Sequence, residues 1–117
     1  MSAETELYAA LVAFPGLSAL VSDRIYPDAI PEGKLIPAVV YSLDDGMAIY
    51  GMNNQKHATK TQIKIHAWAL TREEAKAVGD QLELALVTID IPIDNRYSGF
   101  DAEIGEYADV TEITWWE

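Results

Sequence analysis

The sequence predicts an α+β fold: a two-layer sandwich in which two helices pack on one face of a mostly antiparallel sheet. The chain has 117 residues, a length that suits a single domain spanning residues 1–117. Half of the residues are hydrophobic and 23% are charged, close to the average for folded globular proteins. Apolar residues recur at helical spacing in some segments and alternate in others, in the order helix, strand, strand, helix, strand.

The N-terminal part of the chain predicts two helical segments and a connector. A first helix is expected over residues 2–13, before Pro15 and Gly16 stop it. Its apolar positions recur at helical spacing: Leu7, Tyr8, Leu11 and Val12. A second, short helical turn is expected around residues 17–21. Prolines then interrupt an extended connector over residues 24–33.

Two strands are expected in the middle of the chain. Residues 38–43 are rich in Val and Tyr, and Asp44-Asp45-Gly46 is typical of a turn that closes a strand. Residues 46–59 then form either a hairpin extension or a mobile arm. Residues 60–70 are the clearest strand, because four apolar positions alternate with more polar ones: Ile63, Ile65, Ala67 and Ala69.

The last third of the chain predicts a helix and a final strand. Thr71 and Glu74 form a capping box, and apolar residues at helical spacing extend the helix to about residue 87. Residues 96–100 are a loop or a short strand, and residues 107–116 are a strand with apolar residues on both faces. The helices cover one face of the sheet. Trp68, with Trp115 or Trp116, is therefore a candidate contact aromatic on the other face, unless these rings complete the core.

Composition and motifs exclude several classes of function. Acidic residues outnumber basic ones 19 to 8, for a net charge of −11, which disfavours binding to nucleic acid or to an anionic membrane. No cysteine is present, and the spacing of His57 and His66 matches no zinc site. No nucleophile, phosphate-loop or dinucleotide motif occurs. We therefore expect a protein that is not an enzyme and has no catalytic, cofactor-binding or metal-binding residues.

Charge is segregated along the chain. Residues 46–72 contain basic residues and no acidic one, whereas residues 97–117 contain six acidic residues and no basic one. One interpretation is cross-strand pairing within a single sheet. The other is a basic edge and an acidic edge that join subunits head to tail, as in a ring. In the second interpretation the expected interface residues are Lys56, Lys60, Lys64, Asp109 and Glu112.

Several segments together resemble a family of small tail proteins of long-tailed bacteriophages, known as tail-terminator, tail-completion or head–tail joining proteins. The resemblance covers nearly the whole chain and implies a non-enzymatic α+β virion protein. The segments that carry it are Phe14-Pro15-Gly16-Leu17, Asp23-Arg24-Ile25-Tyr26-Pro27, Pro37-Ala38-Val39-Val40-Tyr41, the strand over 61–69 with the helix start at 71–75, and the aromatic pair Trp115-Trp116.

The resemblance also implies an assembly and its partners. Members typically form a ring of six copies at the head-proximal end of the tail tube. The ring stops polymerisation of the major tail tube protein and offers a docking surface for a head-completion or connector protein. The expected location is the virion tail, after assembly in the host cytoplasm. DNA would pass through the ring without specific binding, and acids at Asp101, Glu103 and Glu106 are expected to face the lumen.

Three alternatives remain open at this point. A connector protein would lie one ring further towards the head. A small acidic domain could instead mimic DNA and inhibit a nucleic-acid enzyme, as a monomer with a basic partner. An enzyme or ligand-binding domain would need a pocket with convergent polar groups.

Overall fold

The computed structural model describes residues 3–31, 36–50 and 56–116. Within these residues, three helices and five strands follow one another. The helices are α1 (Ala3–Ala13), α2 (Pro15–Val21) and α3 (Arg72–Thr88), and the strands are β1 (Ile25–Pro27), β2 (Ala38–Tyr50), β3 (Lys56–Ala69), β4 (Ile93–Asp101) and β5 (Glu106–Trp116). In the described part of the chain, no helix is long and apolar enough to cross a membrane.

The strands form a single mixed sheet in the order β1-β2-β3-β5-β4. Three of the four neighbouring pairs are antiparallel, and only β1 and β2 run parallel. The predicted mostly antiparallel sheet is therefore confirmed. The parallel strand β1 lies in the segment for which the sequence predicted only an extended connector.

The helices pack on one face of this sheet and form the core with it. The short helical turn expected after the first helix is α2, so three helical segments cover that face. The core side chains come from all three helices and four strands: Leu7, Leu11, Leu17, Val21, Ile25, Val39, Tyr41, Ile63, Ile65, Ala67, Val78, Leu82, Ala85, Leu86, Ile113 and Trp115. The predicted α+β sandwich is confirmed.

Helix α3 begins where the capping box predicts. The backbone N–H of Glu74 donates to the Thr71 hydroxyl oxygen at 3.2 Å, which satisfies one of the unpaired donors of the first turn. One face of the helix is buried against the sheet and the other two helices. The helix ends at Thr88, one residue beyond the expected boundary.

The predicted turn at residues 44–46 is wrong. Strand β2 continues through these residues to Tyr50, and the register with β3 shifts between Leu43 and Asp45. A β-bulge absorbs one extra residue in this way, so residues typical of a turn remain inside a strand. Of the two interpretations of residues 46–59, the hairpin extension agrees with the described part. Residues 51–55 lie outside the described residues.

The hairpin extension projects beyond the rest of the sheet. Strand β3 pairs with β5 as far as Lys60 opposite Trp116, whereas β2 and β3 continue to pair up to Tyr50 opposite Lys56. Residues 47–50 and 56–60 therefore form a two-stranded ribbon, hereafter the ribbon. Three further residue pairs at about 3.3 Å each carry it roughly 10 Å past the end of β5.

Candidate interaction surface

The sheet face away from the helices, hereafter the open face, carries two apolar rows of cross-strand neighbours. Residues that pair directly across strands share a face, because side chains alternate along each strand. The first row consists of Ala38, Trp68, Ala108 and Gly99, and the second of Val40, His66, Val110 and Tyr97. Four of the small side chains in these rows are buried even though no helix covers them: Ala38, Val40, Ala108 and Val110.

Aromatic rings dominate these two rows. The rings of His66 and Trp68 stack with centroids 5.8 Å apart and an interplanar angle of 7°. Tyr97, on the edge strand β4, is 44% exposed. The rings flank a shallow groove of about 540 Å³, hereafter the groove. Its lining combines apolar and aromatic residues with two acids, Asp101 and Glu103, hereafter its rim.

Of the three candidate contact aromatics, the structure places Trp68 on the open face. Trp115 is only 8% exposed and belongs to the core on the helix side, so it completes the core, which is the alternative that the sequence left open for these rings. Both faces of β5 are partly apolar, and the sequence pattern alone did not indicate which face the helices cover. The side chain of Trp116 lies outside the described residues.

The acids predicted to face a lumen meet at one hairpin. Asp101 ends β4 opposite Glu106, which begins β5, and Glu103 lies in the turn between them. The Asp101 carboxylate accepts a hydrogen bond from the backbone N–H of Glu103 at 3.0 Å. Gly105, with φ of +67°, closes the turn. Two large apolar residues of the same hairpin, Phe100 and Ile104, are each 55% exposed.

Lys64 and Glu112 form an ion pair across two strands, as the first interpretation of the charge pattern expects. They are direct neighbours on β3 and β5, and Lys64 Nζ lies 3.7 Å from Glu112 Oε2. Asn95 on β4 donates a side-chain hydrogen bond to Glu112 at 3.2 Å. These predicted interface residues therefore contact one another within one chain. Strand β3 also contains Lys56 and Lys60, whose side chains lie outside the described residues.

Asp109, also predicted as an interface residue, is buried on the helix side and bound within the chain. It is 6% exposed, and Arg96 donates to its two carboxylate oxygens at 2.9 and 3.0 Å. Two acids of α3 complete the cluster: Asp80 at 2.9 Å and Glu83 at 3.5 Å from the same guanidinium group. Burial and this pairing disfavour the predicted interface role, since a carboxylate held in this way does not offer a free charge to a neighbouring subunit.

Arg96 is the residue that sequence reasoning missed. The hydrogen bond with Asp109 is the main cause that raises the pKa of Arg96 above its usual value, partly offset by burial and supported by Asp80. The guanidinium therefore stays cationic. One signal was available in the sequence, because Arg96 is the only basic residue after Lys76. A single cation within a long acidic region is typical of an internal ion pair.

Gly79 makes room for this cluster in the middle of α3. A Cβ at this position would lie 2.6 Å from the Asp109 carboxyl carbon and 2.8 Å from a terminal nitrogen of Arg96. A glycine inside a helix costs about 1 kcal/mol relative to alanine. The close approach of the ion pair explains why glycine occupies this position.

Comparison with known protein families identifies the family to which the chain belongs. Residues 5–103 match the family described as Tail completion protein gp17. The chain belongs to this family. The match spans most of the chain, from α1 to the β4–β5 hairpin, and confirms the resemblance that the sequence motifs indicate.

The fold of this tail completion protein also has a counterpart among solved structures. A chain of the structure described as "Virion of native gene transfer agent (GTA) particle" superposes with a TM-score of 0.71 and 20% sequence identity. The likeness covers 92% of this chain and 88% of that chain. At this identity it shows a shared fold. No curated protein sequence matches the chain.

Membership of the family establishes the general role. The protein is a structural component of a bacteriophage virion, in the tail, and its family is not an enzyme family. A tail component contacts other virion proteins, so the surfaces available for such contacts are the functional features of this fold. Among the described residues, no three His, Asp or Glu side chains come together in a way that could hold a metal ion.

Proposed function

We propose that this tail completion protein forms a ring of identical subunits at the head-proximal end of the tail tube. The ring ends polymerisation of the major tail tube protein and provides the surface to which a head-completion or connector protein docks. Six copies are the number that the family resemblance implies. The proposal rests on the ribbon. It projects beyond the sheet, and a neighbouring subunit could pack against it.

The ribbon supports an assembled state because two strands alone are only marginally stable in water. Within the described residues, the ribbon strands pair with each other, and beyond the pair of Lys60 and Trp116 they pair with no third strand. Packing against another molecule would give such a ribbon further contacts. In a ring, every subunit has a neighbouring subunit that could make these contacts.

Charge supports a head-to-tail arrangement of the subunits. The ribbon contains Lys56 and Lys60, whereas the acidic β4–β5 hairpin lies at the other end of the sheet, beyond Ala69. Nine residues of β3 separate Lys60 from Ala69, or roughly 30 Å at 3.3 Å per residue. Opposite charges at opposite ends favour a heterologous interface, which closes into a ring when the rotation between subunits is suitable.

The net charge supports free passage of DNA. With a charge of −11 per subunit, a ring is strongly anionic, and an anionic lumen repels the phosphate backbone. The sequence analysis expects Asp101, Glu103 and Glu106 to face the lumen. Neutralising all three to Asn and Gln should slow DNA ejection or cause the ring to retain DNA, and unchanged ejection would remove these residues from the lumen.

Deletion of the gene tests the proposed function directly. Electron microscopy of lysates should show tails of uncontrolled length that lie apart from filled heads. Tails of normal length that fail to join heads would instead place the protein at the connector position, one ring nearer the head. Infectious particles with intact tails would refute both positions and favour a monomeric inhibitor that mimics DNA. Complementation with the wild-type gene is the control.

A further inference from the structure

We infer that the groove on the open face of one subunit receives the ribbon of a second copy of this chain. The inference rests on the proposed ring and specifies its interface. The receiving surface consists of the aromatic walls of the groove and its acidic rim. The inserted element is an apolar and basic ribbon. Each subunit would then provide a groove to one neighbour and a ribbon to the other.

The groove has the chemistry of a binding surface for an apolar, cationic segment. Its walls include the stacked pair His66 and Trp68 and the exposed ring of Tyr97. Asp101 and Glu103 lie along the rim, and both belong to a region of the chain without any base. Contact with a neighbour's ribbon would place these two acids in the subunit interface instead of the lumen, and would leave Glu106 as the lumen acid. Aromatic walls favour apolar side chains and cations, and rim carboxylates favour Lys over Asp or Glu.

The ribbon matches that chemistry. Its strands contain the apolar residues Met47, Ile49 and Tyr50 and the bases Lys56 and Lys60, and no acid occurs from residue 46 to residue 72. Burying these apolar residues in a neighbour's groove would remove apolar surface from water and so favour the contact. The complementary charges would select the orientation of the ribbon and exclude pairing of two grooves or two ribbons.

A subunit cannot fill its own groove with its own ribbon. Both features lie on β3, with the ribbon ending at Lys60 and the groove beginning near His66, on the same continuous strand. Six residues separate these two positions, or roughly 20 Å at 3.3 Å per residue, and the ribbon points away from the groove. A ribbon that occupies this groove must therefore come from another copy. This contact is heterologous, which is the type that generates a ring.

Site-specific cross-linking tests the contact, because the chain contains no cysteine and every thiol is an introduced one. Ala48→Cys and Ile49→Cys sample both faces of the ribbon, since adjacent strand residues point to opposite sides. Ala102→Cys, at an exposed site lining the groove, is the receiving variant. The matched control is Val87→Cys, a 63% exposed position on α3. Single-cysteine variants are mixed in pairs and treated with a short bismaleimide.

One ribbon variant should link to the groove variant at least about tenfold more efficiently than to the α3 variant, because an interface raises the local concentration of the two thiols. A chain with both the productive ribbon cysteine and Ala102→Cys should give a ladder of products that ends at a closed ring. Equal linking to the groove and to α3 would overturn the inference, as would preferential linking to α3.

A charge variant separates the interface from a general effect of charge. Glu103→Lys should lower the yield of the ribbon–groove product by about fivefold, as expected for loss of an ion pair with repulsion in its place. Asp23→Lys makes the same change at an exposed position between α2 and β1, away from the groove, and should leave the yield unchanged. Equal effects of the two variants would refute the role of the rim.

The outcomes distinguish this inference from the proposed function. If ribbon–groove products form but the gene deletion leaves tails normal, the contact between copies is supported and tail completion by a ring is refuted. Uncontrolled tail lengths without ribbon–groove products would retain the function and refute this interface. A Glu103→Lys subunit that links normally but alters DNA ejection would assign this acid to the lumen and overturn its role at the groove rim.

Discussion

Replacing Arg96 with Ala should destabilise the fold by about 3 kcal/mol. The substitution removes the group that holds the Asp109 carboxylate with hydrogen bonds of 2.9 and 3.0 Å. The Asp109 side chain is 8% exposed, so little water can replace the lost donors. Removal of one partner from a buried ion pair typically costs about 3–5 kcal/mol, and partial exposure of Arg96 places the cost at the lower end.

That loss is large relative to the whole stability of a domain of this size. Folded domains are typically stable by about 5–15 kcal/mol, so about 3 kcal/mol removes a substantial fraction. The corresponding fall in Tm is roughly 12 °C, taking about 4 °C for each kcal/mol at this chain length. Urea denaturation followed by tryptophan fluorescence measures the change in the free energy of unfolding, and equal m-values would show that the transition stays comparable.

Two further variants identify the cause. Asp80→Asn removes an ion pair in which the acid side chain is 52% exposed, and should cost less than about 1 kcal/mol. Adding Asp109→Asn to Arg96→Ala should recover about 1–2 kcal/mol relative to Arg96→Ala alone, because a neutral amide is less costly to bury than an unpaired carboxylate. A loss below about 0.5 kcal/mol for Arg96→Ala, or no recovery in the double variant, would contradict the reasoning.

Three other substitutions test local features of the fold, each by urea denaturation. Gly79→Ala should lower the free energy of unfolding by about 1–3 kcal/mol, although alanine has the better helix propensity, because the added methyl group would lie 2.6 Å from a buried carboxyl carbon. Gly99→Ala is the control and should be nearly neutral, because no described atom lies within 4 Å of its added Cβ. Thr71→Ala should cost about 1 kcal/mol through loss of the helix cap, and Thr71→Ser should restore most of it. A double-mutant cycle on Lys64 and Glu112 should give a coupling energy below about 1 kcal/mol, since both side chains are partly exposed, and a larger value would show that the pair is more than a surface contact.

The fold class and the order of the elements could be predicted from the sequence because they depend on local patterns. Alternation of apolar residues over 62–69 places Ile63 and Ile65 in the core whatever lies next to β3. The Thr71–Glu74 capping box begins α3 through a contact between residues three apart. Motifs of this kind also carry the family resemblance, because a family shares short segments at similar spacing.

The sequence did not predict the length of the central hairpin. Asp44-Asp45-Gly46 is typical of a turn, yet β2 passes through these residues. Pairing with β3 on both sides of the bulge outweighs the local turn preference, and such pairing is a long-range contact. The ribbon, which carries the proposed function, depends on this outcome.

By itself, the sequence determined the fold class, the helix cap, the segregation of charge and the family. The tertiary structure alone decided which tryptophan faces the core, which acids pair within the chain and which cation is internal. Trp115 and Trp68 lie on opposite faces of the sheet, and Trp115 belongs to the core because the helices cover its face. Arg96 and Asp109 meet across neighbouring strands although 13 residues separate them in the chain. Periodicity determines which residues share a face, whereas packing between distant segments determines what each face contacts.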